Sequence, residues 1–184
     1  GLGIWLDTAC VNFLLEHSNM NRNTSAGTFA ENNNRNNITL LGNQYTAVYR
    51  ECTILDNIDP NGLQTGKGIQ FTENENALIE HCLIYGNEHQ ISVADGPLRG
   101  PQGNIQFRNN VIGSENAAQN IYHVLYGSTG WLEFFDTLNA TTNDNLYFHP
   151  DKGFRNRIQE SITFSPWKSA HLNNLNNSSA DKNV

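Results

Sequence analysis

The sequence predicts an all-β chain folded as a right-handed single-stranded parallel β-helix, a solenoid, with a short helix near its C-terminus. Three observations predict it. A strand-turn unit returns four times, a second series of short strands interleaves with it, and 29 of the 184 residues are asparagine, several times an ordinary share. Self-similarity at a period of about 20 to 30 residues marks architectures in which each unit buries its apolar face only against its neighbours.

The first series aligns FLLEHSNMNRN (Phe13 to Asn23), AVYRECTILDN (Ala47 to Asn57), ALIEHCLIYGN (Ala77 to Asn87) and IQFRNNVIGSEN (Ile105 to Asn116). Apolar and polar residues alternate. Ser18, Cys52, Cys82 and Asn110 share one position, Met20, Ile54, Ile84 and Ile112 another, and an asparagine closes each unit. The second series is GIWLD (Gly3 to Asp7), GTFAE (Gly27 to Glu31), GIQFT (Gly68 to Thr72) and QISVA (Gln90 to Ala94), short β-patterned runs each led by glycine or a polar turn residue. Residues 32 to 57 fit one coil or two.

The asparagine excess has a mechanism in such a fold. Asn tolerates left-handed backbone and caps turns with its side chain. In coils that repeat at about 4.8 Å it also stacks on the next Asn and shares amide hydrogen bonds. After the repeats, Trp131 to Pro150 continues β-rich and aromatic, and SPWKSAHLN reads as a short helix with Ser165 as N-cap and Pro166 at its first position. The domain reading is therefore residues 1 to 172 as coils and closing segment, and 173 to 184 as a polar, loosely ordered tail. Trp131, Phe134, Phe135, Tyr147, Phe148 and Trp167 are read as core beneath the helix.

Composition removes several function classes. With 11 basic against 18 acidic residues, a net charge of −7 and no basic run, phosphate backbones and anionic membranes are not expected partners. No apolar stretch approaches the roughly 20 residues of a membrane span. Cys10, Cys52 and Cys82 allow at most one internal disulfide and lack the paired spacing of a zinc site, so they read as small buried thiols. No HxH or HExxH pattern points to a transition metal.

GIWLD followed one coil later by GTFAE, strand-turn units ending in GN or DN, and YFHPD with FSPWK after it resemble the bacterial right-handed parallel β-helix proteins of the pectate-lyase-like superfamily, over residues 1 to 170. The resemblance implies a polysaccharide or oligosaccharide partner and an extracellular or periplasmic location. It does not imply one reaction, because the superfamily includes lyases, glycoside hydrolases, epimerases and non-catalytic adhesins. Such helices are usually capped at the N-terminal end, whereas this chain starts inside a strand. Residues 1 to 184 are therefore expected to be the C-terminal portion of a longer β-helix, with the preceding coils as a further partner.

Asp7 and Glu31 are the sharpest site reading. Their offset of 24 residues is one coil, so Asp7 lies over Glu31 and Trp5 over Phe29. If Ile4 and Leu6 point inward, Trp5 and Asp7 share the outer face. Two carboxyls about 5 Å apart match a retaining glycosidase pair, with the aromatic rings beside them to stack on sugar. Three readings stay open for the pair: acid/base and nucleophile, calcium ligands, or polar strand ends. Gln70, Thr72, Glu73, Ser92 and Asp95 extend the face, with Arg50 as its basic member and the base that a lyase would require. Calcium is the one cofactor left open, through the ligand reading of the pair and through the lyase alternative. His123 and His89 are the general acid or base candidates among the histidines. His17 and His81 share a repeat position and read as structural, as does His149. The expected function is polysaccharide hydrolysis. The alternatives are a non-catalytic glycan-binding or structural module, and a calcium-dependent polysaccharide lyase.

Overall fold

The computed structural model describes residues 1–7, 10, 12–31, 33, 45–62, 66–94, 103–124, 141–155, 161–172 and 182–183. The chain is mostly β, built on three five-stranded sheets, each parallel throughout. In the first, β1 (Leu2–Asp7), β3 (Ala26–Glu31), β6 (Lys67–Thr72), β9 (His89–Ala94) and β12 (Asn120–Val124) lie side by side in that order. In the second, the order is β2 (Phe13–Glu16), β4 (Ala47–Arg50), β7 (Ala77–Glu80), β10 (Gln106–Arg108) and β13 (Thr141–Asn143). The third holds β5 (Thr53–Leu55), β8 (Leu83–Tyr85), β11 (Val111–Gly113), β14 (Leu146–Phe148) and β17 (Lys182–Asn183). From β3 to β14 the chain visits the three sheets in rotation, one strand each per circuit. A single circuit separates β3 from β6, which pair directly with Ala26 opposite Lys67.

Two bends recur because two kinds of residue recur. At the bend between the second and third sheets, His17, Glu51, His81, Asn109 and Asp144 all have left-handed backbone, with φ between 50° and 56°. At the bend that follows the third sheet, Arg22 (φ 58°), Asp56 (φ 53°) and Gly86 (φ 70°) do the same. The structural role of His17 and His81 is thus to turn the chain, an unfavourable backbone state for most side chains. The ladder residue stands immediately after each left-handed one. Asn57 Oδ1 accepts from Asn23 N at 2.8 Å and Asn23 Nδ2 at 2.9 Å, while Asn87 Oδ1 accepts from Asn57 N at 3.0 Å and Asn57 Nδ2 at 2.6 Å. Asn87 Nδ2 then donates to Gln90 Oε1 at 2.9 Å. The fourth closing asparagine, Asn116, does not extend this ladder; its backbone N–H bonds Ser114 Oγ in a local turn.

A second ladder runs along the other bend. Each side chain there reaches back to the second-sheet strand of the preceding circuit: Cys52 Sγ to Leu15 O at 3.4 Å, Cys82 Sγ to Tyr49 O at 3.6 Å, Asn110 Nδ2 to Ile79 O at 3.0 Å and Asn145 Nδ2 to Phe107 O at 2.9 Å. The glycines that lead the first-sheet strands are also dictated. A Cβ on Gly27 would lie 2.7 Å from Ile54 Cγ2 and 2.9 Å from Gly68 O, inside any real contact distance.

The core fills the space between the sheets. Ala30, Phe71 and Val93 from the first, Tyr49, Ile79 and Phe107 from the second, and Ile54, Ile84, Ile112 and Tyr147 from the third are buried. An edge-on aromatic row runs along it, Tyr49 to Phe71 (centroids 6.5 Å), Phe71 to Phe107 (6.4 Å) and Phe107 to Tyr122 (6.2 Å). Beyond the last circuit, β15 (Phe154–Arg155) pairs antiparallel with β16 (Ser161–Ile162), and helix α1 (Phe164–Leu172) closes the core with Trp167 fully buried. The helix begins before the expected cap: Trp167 N donates to Thr163 O, so Pro166 is its third residue, still in the first turn where no bond is lost. Trp167 stacks on Tyr122 at 5.4 Å and packs on Phe154 at 4.9 Å. Trp131, Phe134 and Phe135 lie outside the described residues. Within 173 to 184, Lys182 and Asn183 pair with Leu146 and Tyr147.

Candidate functional site

The outer face of the first sheet carries the site residues, and strand register decides which of them meet. Asp7 is the Cα partner of Glu31, and Trp5 of Phe29. Parallel neighbours lie about 4.8 Å apart, so both pairs are in side-chain contact range. The inward neighbours Leu6 and Ala30 are buried while Asp7 is exposed and Glu31 half-buried, which puts the two carboxyls on one face at the strand ends. Trp5 and Phe29 stack with planes 5° apart and centroids 6.0 Å apart. Trp5 stands on the edge strand and is 54% exposed. Phe29 covers one face of its indole.

The same two columns continue as Gln70 beside Phe29 and Thr72 beside Glu31, both half-buried, with Gln70 Nε2 donating to Thr72 Oγ1 at 3.5 Å. One strand further on, Ser92 follows Gln70, and His123 follows Ser92. Ser92 is fully buried, and among the described residues its hydroxyl has no hydrogen-bond partner. His123 is half-buried and lies flat on His89, ring centroids 3.8 Å apart and planes 5° apart. Asn120 Nδ2 lies 3.1 Å from His89 Nδ1. The histidines thus form a separate polar cluster, two (His89) and three (His123) strands from Glu31 along the sheet.

Other expected members sit elsewhere. Arg50 belongs to the second sheet, where its guanidinium bridges Glu16 Oε1 (2.8 Å) and Glu80 Oε1 (2.7 Å). Arg108 adds the next rung to Glu80 Oε2 at 3.0 Å, so the Glu16, Arg50, Glu80 and Arg108 positions form a charge-alternating ladder along consecutive strands. Burial pushes the Glu80 carboxyl up, but the bonds and charges of Arg50 and Arg108 outweigh it and hold the group below the usual carboxylate range. Glu73 is 4% exposed at a left-handed bend (φ 49°), buried and not an open groove wall. Asp95 lies outside the described residues.

Sequence reasoning passed over Lys67. It opens β6 in the first sheet, is buried, and has Glu88 and Asp59 as its charge neighbours. Desolvation lowers its ammonium below the usual range. The available signal was a lysine at the strand start, where the other members of the series carry a leucine, an alanine or a histidine. Among the described residues, no group of three or more His, Cys, Asp and Glu side chains is arranged to hold a metal ion, and no helix is long and apolar enough to cross a membrane. The chain matches no family model, no curated protein and no solved structure.

Proposed function

We propose that this chain is a right-handed parallel β-helix of the pectate-lyase-like kind that acts on polysaccharide outside the cytoplasm, hydrolysing glycosidic bonds at the Asp7–Glu31 pair. The rotation of the chain through three parallel sheets supports the helix. The observation that carries the activity is the register: one strand pair sets Asp7 against Glu31 and, two residues earlier on the same face, Trp5 against Phe29. The stacked Trp5 and Phe29 rings beside the carboxyls offer an aromatic surface on the outer face against which a sugar ring packs. The sugar then lies across the strand ends with its glycosidic oxygen beside the two carboxyls.

With carboxyls this close, the chemistry runs in two displacements. Asp7 protonates the departing glycosidic oxygen while the Glu31 carboxylate attacks the anomeric carbon. Asp7, now a carboxylate, takes a proton from water as that water displaces Glu31. Gln70 and Thr72 extend the floor of the groove along the chain of sugars.

The test is a panel of polysaccharides assayed for new reducing ends with wild type, Asp7→Asn and Glu31→Gln. Loss of turnover in both variants, with the fold intact by circular dichroism, supports the reading. Full turnover in either would sink it. Binding without product selects the non-catalytic module, and calcium-dependent products that absorb in the ultraviolet select the lyase.

A further inference from the structure

Cys52 and Cys82 take no part in the glycan face, yet they are placed with unusual regularity. Arg50 pairs Glu80 and Thr53 pairs Leu83, so the two cysteines hold equal positions on adjacent circuits, 30 residues apart. Leu83 N donates to Cys52 O at 2.9 Å and clamps the two bends together. The ladder spacing of about 4.8 Å between their Cα atoms falls inside the window of about 4.4–6.8 Å that a disulfide spans. The sulfur of Cys82 leans back over the circuit that carries Cys52, donating to Tyr49 O at 3.6 Å as well as to Glu80 O at 3.3 Å. Both cysteines are buried, at 1% and 2% exposure. Cys10, the third thiol, stands outside this column and donates to Asp7 O at 3.1 Å.

The pair is also electronically uneven. The proximity of Cys82 lowers the Cys52 thiol below the usual range, against the opposing effect of burial. The same contact, with burial, pushes the Cys82 thiol up. Cys52 is therefore the group that attacks first, since the thiolate is the nucleophile.

We propose that Cys52 and Cys82 are a redox site that closes into a disulfide between adjacent circuits, the oxidant being a low-molecular-weight disulfide. The Cys52 thiolate attacks one sulfur of that molecule, forming a mixed disulfide and releasing one small thiolate. Cys82 gives up its proton and displaces the second small thiolate from Cys52. Two protein thiols are oxidised by two electrons in all, and one small disulfide is reduced to two thiols. Because both sulfurs are buried, the exchange takes place while the chain folds or locally opens. The bond closes a loop of 30 residues, which restricts the unfolded chain.

The experiment refolds the full chain with oxidised and reduced glutathione, then alkylates it in denaturant and maps tryptic peptides by mass. The expected product carries one alkylated cysteine, Cys10. Its peptides Glu51 to Lys67 and Gly68 to Arg99 are joined, at two mass units below the sum of the free peptides. Its melting temperature lies about 5–10 °C above that of the reduced protein, and added reductant reverses the shift. Cys82→Asn, which places at this position the residue found at 110 and 145, keeps the fold and abolishes both the joined peptide and the redox-dependent shift. Three alkylated cysteines, a stable glutathione adduct on Cys52, or a bond to Cys10 would overturn the proposal.

Discussion

Replacing Asn57 with alanine removes four side-chain hydrogen bonds at once: two accepted from Asn23, one donated to Asn87 Oδ1 and one donated to Met20 O. Asn57 is fully buried, and its bonds to Asn87 and Met20 are shielded from water. Asn87 Oδ1 keeps the bond from the backbone N–H of residue 57, but the Asn23 N–H and the Met20 carbonyl lose the partners that Asn57 supplies. Each polar group orphaned in a buried setting costs about 1–3 kcal/mol, which sets the loss at roughly 2–5 kcal/mol. For a chain of this size about 2–4 °C of melting temperature accompanies each kcal/mol, so a fall of roughly 5–15 °C is expected. Urea unfolding followed by circular dichroism measures it, with Asn21→Ala as the control. Asn21 is exposed and, among the described residues, its side chain bonds the Leu55 N–H alone, so its loss is expected to stay at about 0.5 kcal/mol. Equal losses at both positions, or a loss under about 1 kcal/mol at Asn57, would refute the ladder as a source of stability.

Two more predictions rest on packing and charge. Trp167→Ala empties a fully buried site against Tyr122, Tyr147 and Phe154, and a destabilisation of about 3–5 kcal/mol is expected by denaturant titration. Glu80 is held below its ordinary range in the folded chain, so its contribution is fully present above about pH 4.3 and is lost as pH falls through the lowered folded value. Glu80→Gln therefore lowers stability at pH 7 and flattens the acid limb between about pH 5 and 3, and a limb as steep as that of wild type would contradict the role of the ladder.

The fold was legible in the repeats because every unit meets the same neighbours. A position that faces Ile54 in one circuit faces Ile84 in the next, so the same residue types return. The asparagines were legible as bend chemistry, but the division of labour was not. The left-handed backbone falls on the residue before the ladder, on His17, Glu51, Asp56 or Asp144 as readily as on asparagine. The pairing of Asp7 with Glu31 followed from their equal places in GIWLD and GTFAE. Arg50 was assigned to that face although it stands in AVYRECTILDN, the repeat series whose leading strands form the second sheet. The alternation of Glu16, Arg50, Glu80 and Arg108 at one repeat position was the signal of an ion ladder. Lys67 escaped notice because its burial depends on Asp59 and Glu88, residues of the intervening turns that no strand pattern reveals.

The stereochemistry of the first product tests the role of the Asp7–Glu31 pair most directly. Proton magnetic resonance recorded during early turnover of a responsive polysaccharide reads the anomer before mutarotation. Carboxyls on neighbouring strands in register, with Cα atoms about 4.8 Å apart, predict retention of configuration in the wild type and no product from Glu31→Gln. Inversion would contradict the account, since it needs a water between carboxyls at about 6.5–9.5 Å.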